Sequence, residues 1–227
     1  VELGADVVKV EEPGRGDYLR TIPPLVGGEG LMHQILNRGK RSVALDLRDS
    51  QDRGIWEELA TVADVIVEVS RPGRFAQLGV DFASLRRQRP ELVICSVTGF
   101  GQDGPLSMAP SHGMNIDALA GCVRLEYRNG RVRLAPGQLS LGAELGGTNA
   151  ALAILAAVIG ARRTGNGAWL DASCWDSVVD ANRLWLGHLA ATSTPLFDLA
   201  EVGPLYDVYE TSDHRVVLIA AIESKFC

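Results

Sequence analysis

Paired cysteines are missing from this sequence. Cys95, Cys122, Cys174 and Cys227 stand far apart, with no CxxC pair, so neither a thioredoxin-like redox motif nor the spacing of a structural zinc site is present. Thiols this sparse predict a reducing, cytoplasmic setting without a disulfide framework. Positive charge is also short: 22 Lys and Arg against 28 Asp and Glu leave a net charge of −6, the wrong sign for a nucleic-acid binder. Long hydrophobic runs are scarce. The longest, over residues 150–161 (AALAILAAVIGA), closes on Arg162-Arg163; it is too short to cross a bilayer and reads as a buried helix. No signal peptide is visible. GxxxxGK[ST] is absent, and a dinucleotide-binding turn is not expected either.

What is there is an ordinary globular composition, 46% hydrophobic and 22% charged over 227 residues, enough to bury a substantial core. Continuous apolar, β-branched runs predict strands over 5–10 (ADVVKV), 42–47 (SVALDL), 64–69 (DVIVEV) and 92–97 (LVICSV). Helical patterns over 49–62 and 82–89 lie between the later ones. Such alternation predicts an α/β fold, a Rossmann-like parallel sheet with helices on both faces. Ligands of such sheets sit outside the carboxyl ends of the strands, which here are the loops 11–24, 70–73 and 98–121. A long helix is expected over 142–164, apolar nearly all round and therefore buried in the core or against a second subunit. A further helix is expected over 174–189. The tail LYDVYETSDHRVVLIAAI reads as a hairpin that starts a smaller second domain, dividing the chain into 1–190 and 191–227. The sequence opens on Val1 rather than methionine and stops just past an apolar strand, so it is expected to be a piece of a longer chain.

Three groups of residues have the chemistry of a site. Arg38, Lys40, Arg41, Asp46 and Arg48 bracket one strand, and Arg71 and Arg74 follow the next; guanidinium groups suit phosphate geometry, although solvated surface charge explains them equally well. Glu144 sits at the mouth of the long helix with Gly146 and Gly147 just beyond it. There the helix dipole favours its charge and apolar neighbours disfavour it, or it is simply a capping acid. His112, between Pro110-Ser111 and Gly113, is either a loop histidine bonded to its own turn or a proton-transfer group. His33, His188 and His214 are read as structural, and Glu223 follows the last strand.

In order along the chain, LGADVVKVEEPGRGDYLR, LNRGKRSVALDLRD, ADVIVEVSRPGRFAQLGVDFASL, PELVICSVTGFGQDGP, GARRTGNGAWLDASCWD and VYETSDHRVVLIAAIESKF resemble the family III CoA-transferases. That family includes formyl-CoA and carnitine CoA-transferases and alpha-methylacyl-CoA racemase. The resemblance covers essentially the whole chain. It implies a large Rossmann-like domain plus a small one, a homodimer of interlocked rings, and coenzyme A lying across the carboxyl ends of the sheet as part of the substrate, with no tightly bound cofactor and no metal. By motif match, Asp46 and Arg48 fall at the adenosine and phosphate end of coenzyme A, and Arg71 is the arginine of the RPG turn. Gln77 stands where some racemases carry another CoA-binding arginine. His112 matches the catalytic histidine of the racemase motif GHDINY, with Asn115 kept and Gly113 and Ile116 replacing the aspartate and tyrosine. Glu144 corresponds to the catalytic aspartate, and Glu223 to the glutamate that orients the histidine.

The resemblance leaves two chemistries open. In transfer, the partners are an acyl-CoA and a carboxylate acceptor. Glu144 attacks the thioester, and the Gly146 and Gly147 amides stabilise the oxyanion. In racemisation of a 2-methylacyl-CoA, His112 and Glu144 serve opposite faces of the α carbon while Glu223 fixes the His112 tautomer. A third reading is an inactive acyl-CoA-binding relative in which Glu144 only caps its helix. Neither a membrane nor a nucleic-acid partner is expected.

Overall fold

A computed structural model describes residues 1–194, 203–221 and 225. The chain divides into two compact units, residues 1–177 and 178–227. In the first, the apolar runs form strands because β-branched residues favour an extended backbone; residues 92–95 are fully buried, whereas Val67 is 55% exposed. In chain order its elements are β1 (Val8–Glu11), a short 3-10 turn (Tyr18–Arg20), β2 (Leu25–Val26), β3 (Glu29–Gly30), α1 (Leu31–Leu36), β4 (Arg41–Ala44) and α2 (Ser50–Val62). Then come β5 (Val65–Glu68), α3 (Arg74–Gln77), α4 (Phe82–Gln88), β6 (Val93–Thr98), α5 (Gly113–Leu119), β7 (Leu125–Arg128) and β8 (Arg131–Leu134). The long α6 (Leu141–Thr164), β9 (Trp169–Ser173) and α7 (Cys174–Ala181) follow. β1 pairs with β4 in parallel, and β5, β6 and β9 make a second parallel set in that order. The expected α/β architecture is present.

Aspartates end the strands and start the helices. β4 stops before the predicted Leu47 because the Asp46 amide turns to the Asp52 carboxylate at 2.8 Å. Asp49 then caps α2 by accepting from the Gln51 and Asp52 amides at 2.8 and 3.1 Å, and Asp81 caps α4 through the Ser84 amide at 2.9 Å. The core packs Trp56 and Ala60 of α2 and Phe82 of α4 against Leu45, Ile66, Leu92 and Ile94. Phe82 is its hub, with ring centroids 5.2 Å from Phe75 and 5.5 Å from Trp169. Val93 and Cys95, at the alternate positions of β6, are as completely buried as Leu92 and Ile94. α6 runs against β6 and β9, so both faces of β6 are covered.

Several elements escaped the sequence reading, among them α1, α3, the β2–β3 pair, β9 and the β7–β8 hairpin. β9 follows α6 as an edge strand, its Trp169 indole donating to Ser96 Oγ at 3.1 Å. β7 and β8 form a hairpin about Asn129-Gly130, with φ of 54° and 71°, the turn that an Asn-Gly pair favours.

Within the chain α6 is buried along one side rather than all round, and the expected alternative, burial against a second subunit, concerns the other side. Gly142, Gly146, Ala150 and Ala161 make a narrow buried stripe, while Leu152 and Ile159 are each 60% exposed. By length and composition alone α6 is also apolar enough to cross a membrane. Small residues let one side of the helix approach the sheet closely, and the larger side chains are left on the other side.

In the second unit the helix expected over 174–189 is broken at Asn182, a non-helical residue with φ −93° and ψ 9°; asparagine competes with the helix for backbone bonds. α8 (Arg183–Thr192) follows, and the expected hairpin is β10 (Tyr206–Glu210) against β11 (Val216–Ala220).

Candidate active site

Loops leaving the carboxyl ends of β5 and β6 enclose a cleft of about 500 Å³, the place a parallel sheet reserves for ligands. Ser70 and Arg71 line it from the first loop, and Thr98, Ser111, His112 and Asn115 from the second. Gly99 is required beneath Ser111, because a Cβ there would lie 2.0 Å from Ser111 Oγ. Gly99, Gly101 and Gly104 follow β6 with the spacing of a dinucleotide turn, which corrects the expectation that no such turn follows a strand, but no helix begins there. α5 starts only at Gly113, so the helix N-terminus that would hold a pyrophosphate is missing.

His112 is the N-cap of α5 and is exposed. Asn115 clamps its turn: Oδ1 accepts the His112 amide at 2.6 Å and Nδ2 donates to the Pro110 carbonyl at 3.3 Å. The ring stands edge-on to Tyr18 at 6.3 Å, so the loop after β1 also reaches this edge of the cleft. Arg71 is exposed and makes no ion pair among the described residues.

The Tyr18 loop is tied down by Glu11 at the end of β1. The Glu11 carboxylate accepts from Arg20 Nε at 3.1 Å and Nη2 at 3.0 Å, from the Asp17 amide at 2.8 Å and from Ser42 Oγ at 3.0 Å. The Arg20 guanidinium first, then the Asp17 and Ser42 donors, outweigh the cost of burial and hold its pKa down at about 2. Against its own burial, the Lys9 ammonium likewise keeps Asp17 below the ordinary carboxylate range.

Sequence reasoning passed over Asp117, although a lone acid inside the apolar turn NIDALA was a readable signal. Its side chain is completely buried and accepts the Leu141 amide at 3.0 Å and the Gly142 amide at 2.7 Å. It thereby caps α6 from a neighbouring helix. Two glycines make the approach possible: a Cβ on Gly113 would lie 1.6 Å from Ser140 Oγ, and one on Gly142 would lie 2.7 Å from Ile116 Cγ2. His112 directly precedes Gly113, and Glu144 occupies the first turn after Ser140. Both are thus held beside one α5–α6 contact. Asp117→Ala is expected to destabilise the protein by about 2–4 kcal/mol, since it strands the buried Gly142 amide and the part-buried Leu141 amide. Urea unfolding measures the loss, and an unchanged midpoint would show that the bonds contribute nothing.

Glu144 is exposed, and its carboxylate has no hydrogen bond or ion pair among the described residues. It is not among the residues lining the His112 cleft. Gly146 and Gly147 lie in the second turn of α6, where amides donate along the helix, and this corrects their expected role as oxyanion donors. Gly146 instead packs on Cys174, where a Cβ would meet Sγ at 2.6 Å, and burial pushes that thiol's pKa up. Among the described residues, Ala143 is left as the first-turn amide that no side chain takes.

Asp46 and Arg48 lie after β4, outside the cleft lining. Arg48 binds Asp46 through Nε at 2.8 Å and Glu12 through Nη2 at 2.7 Å, so its guanidinium is already occupied by carboxylates. Gln77 ends α3. Glu223 lies outside the described residues.

The whole chain, residues 1–227, matches the family described as CoA-transferase family III. Acetyl-CoA:oxalate CoA-transferase of Acetobacter aceti is 32% identical over 99% of this chain and 59% of its own length. Human succinyl-CoA:glutarate CoA-transferase is 35% identical over 84% of this chain and 42% of its own. Succinyl-CoA:mesaconate CoA-transferase of Haloarcula hispanica is 33% identical over 96% and 58%. A solved CaiB/BaiF family protein from Brucella suis superposes with a TM-score of 0.80 at 30% identity, covering 96% of this chain and 59% of that one. The chain thus spans at most about three-fifths of each of these relatives.

Proposed function

This chain belongs to CoA-transferase family III, and we propose that the protein moves coenzyme A from an acyl-CoA thioester to a dicarboxylic acid. The observation that carries the reading is the α5–α6 contact, which holds at neighbouring helix ends a cleft histidine and a carboxylate with no partner among the described residues. The Glu144 carboxylate attacks the thioester carbonyl and expels CoA thiolate, leaving a mixed anhydride. The thiolate returns to the glutamyl carbonyl and frees the donor acid, so that Glu144 carries CoA as a thioester. The acceptor carboxylate attacks that thioester, and the expelled thiolate completes the transfer by the reverse sequence. The Ala143 amide and the His112 ring stand as the donors to the developing oxyanion. Arg71, which makes no ion pair among the described residues, holds phosphate. Asp46 and Arg48 bind coenzyme A only by opening their pair, and coenzyme A enters as substrate.

The dicarboxylate acceptor rests on relatives whose names specify oxalate, glutarate and mesaconate. The racemase alternative needs Glu223 on His112, and the relatives quoted above are transferases, so transfer is the reading retained. The exposed stripe of α6 fits a homodimer in which a second copy covers it, and the segment from 191 onward begins the smaller domain. A cytoplasmic setting completes the proposal.

The full-length protein incubated with succinyl-CoA and glutarate should exchange CoA only when acceptor is present. Incorporation of deuterium at the α carbon of a 2-methylacyl-CoA without acceptor would overturn transfer in favour of racemisation. Arg71→Gln is expected to raise the KM for acyl-CoA about tenfold with little change in kcat, the signature of lost uniform binding. An unchanged KM removes Arg71 from the site.

A further inference from the structure

The hairpin of β7 and β8 connects the two helices of the candidate site and makes its main contacts within itself. Its register pairs Glu126 with Arg133 and Arg128 with Arg131. Directly opposite residues share a face and successive residues alternate, so these four lie together on one side. Leu125, Tyr127, Val132 and Leu134 occupy the other. Arg128 facing Arg131 is a like-charge pair, which weakens a hairpin unless something neutralises it.

Carboxylates are plentiful in this acidic chain, and Arg20, Arg38, Arg41, Arg48 and Arg89 all find one. Among the described residues, Arg128, Arg131 and Arg133 form no ion pair. Instead they line a concavity of about 710 Å³ with Glu126, Asn129 and Pro136, which Leu134 closes at the end of β8. Glu126 is the single acid there, so three guanidinium groups face one carboxylate. None of these residues belongs to the His112 cleft.

We propose that this arginine face is a second anion-binding site, built for a ligand carrying two adjacent phosphoryl groups. Guanidinium forks match phosphate oxygens in pairs. Arg128 and Arg131 sit on adjacent strands roughly 5 Å apart at Cα, a separation that sets one fork on each phosphoryl group of a diphosphate. Binding removes the repulsion across the turn. A ligand with one charge leaves one of the two arginines unneutralised. The site is independent of the transferase reading.

Isothermal titration of the full-length protein with inorganic pyrophosphate at low ionic strength tests it. Saturable binding is expected, weakened at least about tenfold by the double variant Arg128→Gln/Arg131→Gln, as befits the loss of two charge-assisted contacts. Glu126→Gln is expected to tighten binding severalfold, a gain that misfolding does not produce. Equal affinity in the double variant overturns the proposal, as does the absence of saturable binding by the unaltered protein. So does a loss of affinity in Arg71→Gln with the double variant unaffected, which assigns the anion to the cleft. Unchanged affinity in Glu126→Gln likewise counts against it.

Discussion

Glu144→Gln in the full-length protein is expected to lower acceptor-dependent CoA exchange about a thousandfold or more, because it removes the atom that carries CoA between donor and acceptor. Glutamine is nearly isosteric but lacks the carboxylate oxygen that attacks the thioester. The fold should survive, since the Glu144 side chain is exposed and makes no bond among the described residues; surface changes of this kind cost about 0.5 kcal/mol or less. Mixing the unaltered protein with acyl-CoA alone should raise its mass by coenzyme A less one water, as the glutamyl thioester forms and the donor acid leaves. That adduct should be absent from Glu144→Gln. Full exchange by Glu144→Gln and Glu144→Ala, or an adduct mapped to another residue, would remove Glu144 as nucleophile. Glu144→Asp, one methylene shorter, should retain part of the activity.

Glu11→Ala is expected to destabilise the fold strongly and in a pH-dependent way. It leaves Arg20, the Asp17 amide and Ser42 without their shared acceptor and releases the loop that bears Tyr18. The carboxylate's pKa falls from 4.5 to about 2 on folding, which corresponds to about 3 kcal/mol as an upper bound. A depressed carboxylate stabilises the fold fully at pH values above 4.5, and the contribution drains away as pH falls toward 2. Unfolding in urea at pH 7 and again near pH 3 should therefore show a mutant deficit that shrinks in acid. A deficit that stays constant across that range would mean the loss is packing rather than ionisation. Glu11→Gln, which keeps the shape without the charge, should reproduce most of the deficit at pH 7.

The strands at 8–11, 65–68 and 93–98 were legible because continuous β-branched runs favour an extended backbone, and those runs are local. The helices over 50–62 and 82–88 were legible from equally local patterns, each announced by a capping aspartate. The β7–β8 hairpin was equally announced by Asn129-Gly130 between alternating apolar residues and was passed over. α6 was legible in extent but not in burial, because composition does not say which side of an apolar helix meets the sheet. At the site, His112, Arg71 and Glu144 were singled out from chemistry and resemblance. The commitment of Arg48 to Glu12, 36 positions away, was not readable, nor was the capping of α6 by Asp117. Both depend on side chains that meet only after the chain has turned back several times.

Local periodicity and motifs held in order are enough to specify the α/β class and the family. Contacts between distant segments alone establish that Asp117 joins α5 to α6, that Gly146 packs on Cys174 rather than presenting an amide, and that three hairpin arginines form no ion pair among the described residues. A local pattern encodes which backbone form a segment takes. Which side chains share a hydrogen bond, and which charges find none, is settled by close approaches between distant segments, and in this protein glycines at 113, 142 and 146 set those distances.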